Sequence, residues 1–274
     1  MFFLLLDKYI VYNLTKLNFI VNYGVGNMKV LLLAAGYATR LYPLTIDKPK
    51  ALLPLGSKLI IDRIVDKIDT LPDVSEIILI SNAKFYNQFC AWASSCDRTG
   101  KAEISILNDG TDSPSNMRGA IGDISFALKE KNIDDDICIM ASDNIFTFEL
   151  SDMHRFFEQK NADTLIAINV PEKHQLQKLA VALLDEDDKV LDLAEKPSEP
   201  KSNWGIYAVY FYKKETVRLI DTYLSEGNSK DAPGHFPAWL YTRKPVYAFK
   251  ADGTCIDIGT LENYEAIQKE YEAL

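Results

Sequence analysis

Residues 28–55 read MKVLLLAAGYATRLYPLTIDKPKALLPL. Val30 to Leu33 is an apolar run too short for a helix and suited to a strand buried on both faces. It stops at Ala34, Ala35 and Gly36, small residues that let a backbone come close to a ligand. In the loop that follows, Arg40, Lys48 and Lys50 outnumber the lone anion Asp47, and Pro43 and Pro49 stiffen the chain. Backbone N–H groups in such a loop can cradle phosphate oxygens while the cations neutralise them. Taken alone, the loop also reads as an ordinary strand-to-helix connection with surface charges.

Outward from this stretch, strands and helices alternate. Lys58 to Thr70 places Ile60, Ile61, Ile64, Val65 and Ile68 at helical spacing. Glu76 to Ile80 and Ile137 to Ala141 read as further buried strands, and Glu103 to Leu107 as another. Lys84 to Ser95 reads as a helix whose aromatic stripe belongs to the core. The polar loop from Asn108 to Asn116 precedes a helix opening at Arg118-Gly119-Ala120. Strands are expected at 163–170, 246–250 and 255–258, with a hairpin over 179–184 and 189–194. Helices are expected at 214–224 and 232–241, and Thr260 should cap a final one. Asp143, just past an apolar strand, would lie in the crevice where α/β sheets bind ligands. There it can hold a hard cation such as Mg²⁺, although an aspartate in this position can equally cap a turn.

The totals narrow the classes. The chain has 274 residues, 47% of them apolar, enough for a sizeable core. A formal charge of −9 argues against non-specific nucleic-acid binding. Four cysteines form no C-x-x-C pair, so a reduced, cytoplasmic setting fits best. Residues 1–27 begin MFFLLLDK, without a basic leader or an 18-residue apolar span, so neither a signal peptide nor a membrane helix is expected. They read as an extension outside the fold, perched before a single domain over 28–274, with a surface-packed helix as the competing view. The three histidines lack metal-ligand spacing.

Gly36-Tyr37-Ala38-Thr39-Arg40-Leu41, then Pro43-Leu44-Thr45, Pro49-Lys50 and Leu53-Pro54, resembles the signature of the sugar-1-phosphate nucleotidylyltransferases. That family includes glucose-1-phosphate thymidylyl- and uridylyltransferases. Further along, Ser142-Asp143-Asn144, Glu195-Lys196-Pro197, Gly205-Ile206-Tyr207 and Asp257-Ile258-Gly259-Thr260 resemble its later elements. The departures are Ala38 and Ser142, each at a glycine of the pattern, and Cys255, where relatives often carry a tryptophan. The resemblance implies an α/β fold, with a Rossmann-like, mixed but mostly parallel sheet flanked by helices, akin to GT-A folds. A small β-hairpin part would bind the sugar. It implies transfer of a nucleotidyl group from an NTP to a sugar 1-phosphate, with pyrophosphate leaving and Mg²⁺ as cofactor.

By the same resemblance, Arg40, Lys50 and Lys196 are the catalytic cations. Ala34, Ala35, Gly36, Thr39, Arg40 and Gly119 would bind the nucleotide, although packing at a helix entrance is an equal reason for Gly119. Glu195, Lys196, Gly205 and Tyr207 would bind the sugar phosphate, and Asp143 and Asp257 the metal. Competing readings are cytidylyl transfer to a phosphorylated alcohol such as phosphocholine, and a non-catalytic sensor of nucleotide or sugar phosphate. Relatives often carry a glutamine where this chain has Asn108-Asp109-Gly110, so the base stays open. Asn108 either meets a base edge or starts a turn. Neither a nucleic-acid nor a membrane partner is expected, and the oligomeric state is open.

Overall fold

The computed structural model describes residues 28–272; the expectations for residues 1–27 lie outside them. The strands are β1 Met28–Leu33, β2 Pro54–Leu55, β3 Lys58–Leu59, β4 Val74–Ser81, β5 Glu103–Asn108, β6 Ile137–Ala141 and β7 Asn144–Phe146. They continue as β8 Asp163–Asn169, β9 Ala180–Leu184, β10 Val190–Glu195, β11 Trp204–Tyr212, β12 Val246–Lys250 and β13 Cys255–Asp257. β1 lies between β4 and β6, parallel to both, and β5 runs parallel outside β4. β11 turns antiparallel to β6 and carries β8 and β9, to which β12 and β10 are added. The expected mixed α/β sheet forms, and the part bearing the signature is its parallel part.

The apolar runs are continuous because both faces are covered. Successive side chains on a strand point to opposite faces. Val30 and Leu32 enter one core with Ile77, Leu79, Cys138 and Met140. Leu31 enters the other with Ile78, Ile80, Ile137 and Ile139. The helix Ile60–Ile68 buries its Ile60, Ile61, Ile64, Val65 and Ile68 stripe in the first core. The helix Ala120–Glu130 buries Ile121, Ile124 and Ala127 in the second. Each such aliphatic side chain contributes about 1.5–3 kcal/mol when removed from water.

Two expectations shift. The segment read as one helix over 214–224 is two, Lys214–Val217 and Leu219–Ser225. The helix expected from Ala232 begins only at His235, because Ala232 to His235 form a turn around Pro233-Gly234 in which the His235 N–H donates to the Ala232 carbonyl at 3.2 Å. Among the described residues, no helix is long and apolar enough to cross a membrane.

Candidate active site

β1 and β6 lie side by side with Leu33 opposite Ala141, so their carboxyl ends open together. The signature loop leaves from one and Asp143 from the other. Open α/β sheets take their ligands at such a crevice. Ser142 joins the two ends: its N–H and its hydroxyl both donate to the Leu33 carbonyl, at 3.2 and 2.8 Å. A glycine could make only the first of these bonds. The signature loop is folded on itself by Thr45, whose hydroxyl donates to the Ala38 carbonyl at 2.8 Å. Ala38 has φ +47°, the left-handed region that explains a glycine in the resembled pattern.

Asp257 reaches the same place from far along the chain. β13 pairs antiparallel with β7, Asp257 opposite Asn144, and the Ile258 N–H donates to the Asp143 carbonyl at 3.3 Å. This short ladder sets the two aspartates together. Lys50 closes the group. Its ammonium is ion-paired with Asp143, lies 3.8 Å from Asp257 Oδ1 and donates to the Ile258 carbonyl at 2.8 Å. Burial, then the neighbouring Asp143 charge, pushes the Asp257 carboxyl above its usual range, while Lys50, Arg40 and Lys196 pull it back. A Cβ on Gly259 would sit 3.1 Å from Asp257 Oδ2 and 3.5 Å from Arg40 Nη2, so Arg40 reaches the same point.

Two clefts meet at Asp143. One, of about 230 Å³, is lined by Ala34, Gly36, Arg40, Lys50 and Asp143. The other, of about 210 Å³, is lined by Asp143, Glu195, Lys196, Tyr207 and Asp257. Lys196 stands at the end of β10 with φ +47°, a conformation that costs a non-glycine residue about 1–2 kcal/mol. Its N–H donates to the Leu179 carbonyl at 3.0 Å, and its ammonium is 3.7 Å from Glu195 Oε1. The Tyr207 hydroxyl is pushed up to about 12, by burial first and then by Cys255 and Asp257. It therefore stays protonated and can donate to an oxygen in the cleft.

Four of the expected residues stand outside both linings. The buried Ala35 offers its carbonyl to Asn82 Nδ2 at 2.9 Å. Thr39 is exposed at the start of the 3₁₀ turn Thr39–Leu41. Gly205 is packed into the sheet, where a Cβ would lie 3.0 Å from Leu179 Cδ1 and 3.2 Å from Val170 Cγ2. Gly119 has φ +79°, and a Cβ there would meet the Lys230 carbonyl oxygen at 2.5 Å. The next two N–H groups, of Ala120 and Ile121, donate to the Asp231 and Lys230 carbonyls, both at 2.9 Å. Packing thus accounts for both glycines. Asn108 starts the turn: its Oδ1 accepts the Gly110 N–H at 2.9 Å.

Lys178, Leu179, Ala180 and Ala232 to Gly234 also line the second cleft, and none was expected there. Pro233-Gly234 signals a turn and nothing more, while Lys178 carries no local signal at all. As for metals, Mg²⁺ takes one or two carboxylates and completes its shell with water and phosphate oxygens. Asp143 and Asp257 could supply those carboxylates, and a dication between them would offset the burial and the Asp143 charge that push Asp257 up. Among the described residues, no group of three or more His, Cys, Asp or Glu side chains converges as a metal cluster.

The chain matches the nucleotidyl transferase family model over residues 29–273. It is 27% identical over 237 residues to the bifunctional protein GlmU of Methanocaldococcus jannaschii, covering 85% of this chain and 51% of that protein. It is 27% identical over 253 residues to the glucose-1-phosphate adenylyltransferase of Clostridium novyi, covering 86% and 64%. The chain therefore spans about half to two thirds of the length of these curated relatives. Its fold matches a crystal structure of UDP-glucose pyrophosphorylase with UDP-glucose at a TM-score of 0.75, over 90% of this chain and 99% of that one. The identity there is 17%, so that likeness is one of fold. The family model spans both clefts and every charged residue gathered around Asp143, and on that match the chain belongs to the nucleotidyl transferase family.

Proposed function

We propose that this protein transfers a nucleotidyl group from a nucleoside triphosphate to a sugar 1-phosphate, releasing pyrophosphate in a Mg²⁺-dependent reaction. The observation that carries this reading is the convergence of Arg40, Lys50 and Lys196 on the Asp143–Asp257 pair, where two clefts meet. A site that joins two polyanions must first overcome their repulsion. Three cations, two from the signature loop and one from the end of β10, answer that need. The names of the curated relatives support a sugar 1-phosphate as acceptor.

In this reaction a sugar-phosphate oxygen forms a bond to the α-phosphorus, and the bond from that phosphorus to the bridging oxygen breaks. The electron pair leaves with pyrophosphate. The nucleophile is already an anion, so no side chain has to remove a proton. Positioning and charge neutralisation then supply most of the rate. Arg40, at the signature loop, holds the leaving pyrophosphate. Lys196, at the other cleft, fixes the incoming phosphate, and the Tyr207 hydroxyl donates beside it. Lys50 balances the two aspartates and keeps the loop against them. Mg²⁺, held by Asp143 and Asp257, would supply Lewis-acid stabilisation of phosphate oxygens.

Lys178 and Lys196 line the second cleft, where they can meet an acceptor phosphate, and Glu195 beside them can meet sugar hydroxyls. The test is purified protein with Mg²⁺, each NTP and a panel of sugar 1-phosphates, scored by pyrophosphate release and product mass. An NDP-sugar should form with at least one pair. Product only with phosphocholine, or with no acceptor, rejects the reading.

A further inference from the structure

Glu195 ends β10 inside the second cleft with its side chain only 11% exposed. A carboxylate this deep needs something to hold its orientation. Its nearest cation, Lys196, stands 3.7 Å from Oε1, beyond hydrogen-bonding reach. Its Oε2 lies against Gly234, in the space a side chain there would take. A Cβ built on Gly234 would overlap Glu195 Oε2, lie 3.1 Å from Glu195 Cδ and lie 3.3 Å from Ala180 Cβ. Gly234 has φ −69°, which any residue can adopt, so backbone conformation does not demand the glycine. The carboxylate does.

Gly234 also cannot retreat. It closes a strap, residues 230–234, whose other end is tied to the entrance of the helix Ala120–Glu130. There the Lys230 and Asp231 carbonyls accept the Ile121 and Ala120 N–H groups. Gly119 packs so near the strap that a Cβ there would meet the Lys230 carbonyl oxygen at 2.5 Å. With the strap fixed, a side chain at position 234 must displace its softest neighbour, the flexible end of Glu195.

We propose that Gly234 is the positioning residue of the sugar subsite: its missing side chain leaves the space in which the Glu195 carboxylate is set toward the sugar hydroxyls. This rests on the reading of the second cleft as the sugar 1-phosphate site. Gly234 lines the same cleft, and its part in the subsite is played through Glu195, for which it leaves room. A Gly234→Ala protein folds normally, because the methyl group meets a movable carboxylate rather than backbone. It loses recognition of the sugar while keeping recognition of the nucleotide.

The experiment first finds the NTP and sugar 1-phosphate pair that the wild-type protein turns over. Steady-state kinetics and crystal structures of Gly234→Ala, Glu195→Asp and the double variant follow. In Gly234→Ala, KM for the sugar 1-phosphate should rise roughly tenfold to a hundredfold, the loss of a hydrogen bond to a charged group. KM for the NTP and the melting temperature should stay near wild type, and the crystal structure should show Glu195 turned from its wild-type place. Glu195→Asp alone should also raise KM for the sugar 1-phosphate, because the shorter side chain falls short. In the double variant the shorter carboxylate clears the methyl group, so KM should fall below that of Gly234→Ala. Unchanged KM in Gly234→Ala, an unmoved Glu195, or penalties that simply add would overturn the proposal. No turnover by the wild-type protein with any pair would instead overturn the sugar reading itself, and this proposal with it.

Discussion

Lys50 stands where two carboxylates would otherwise repel each other, and its ammonium serves Asp143, Asp257 and the Ile258 carbonyl together. Replacing it by methionine should cost about 1–3 kcal/mol of stability, since a partly buried carboxylate pair loses its cation. Millimolar Mg²⁺ should return part of that loss. Thermal melts with and without Mg²⁺ check both points, and an unchanged melting temperature in Lys50→Met contradicts them. A second carboxyl, Asp123, is pushed up to about 8, by burial first and then by Asp109 beside it. Folded protein keeps this proton until about pH 8, whereas the unfolded chain releases it near pH 4. The stability it contributes is full below about pH 4 and is lost as pH rises through about 8. Asp123→Asn cannot titrate, so its melting temperature should gain on wild type steadily between pH 5 and 8; a constant difference would contradict the shift. Residue types that carry charge were legible in the sequence, because Arg40, Lys50, Asp143, Lys196 and Asp257 sit in spaced motifs. Gly119 and Gly205 were not. A glycine signals only that a side chain is missing, and packing wants that as often as a ligand does.

Among the elements, the helix entrance at Gly119 shows how a backbone position can be demanding without touching a substrate. Its φ of +79° and its approach to the Lys230 carbonyl leave no room for a Cβ. Gly119→Ala should therefore lose about 1–3 kcal/mol in denaturant unfolding. A loss below a few tenths would mean that the strap yields. Long apolar strands were easy to read, because β1, β4 and β6 are buried on both faces and need unbroken hydrophobic runs. β7 could not be read. Its three residues, Asn144 to Phe146, carry no periodicity, yet their ladder with β13 is what brings Asp257 to Asp143. The late start of the helix at His235 escaped for a similar reason. Pro233-Gly234 reads as a turn, but the cleft that residues 232–234 line is formed by β6, β9, β10 and β11, and such neighbours are set by the fold.

Across the described residues, the main sheet and the separate β7–β13 ladder gather residues more than two hundred positions apart into a single charged junction between two clefts. The motifs named its members, and the parallel order β4-β1-β6 with the β7–β13 ladder explains how they meet. The account stands on those charges acting together on two phosphorylated reactants. Arg40→Ala should then lower turnover about 10²–10³-fold with little change in nucleotide affinity, as expected for a cation used in the transition state. A pure affinity loss with normal turnover would contradict that role. The most direct measurement is Mg²⁺-dependent pyrophosphate release, with product mass, by the wild-type protein and by Asp143→Asn and Asp257→Asn, using the NTP and sugar 1-phosphate pair found active. The account predicts an NDP-sugar from the wild type and at least a hundredfold loss in each folded variant. Near-full activity in both variants would contradict it.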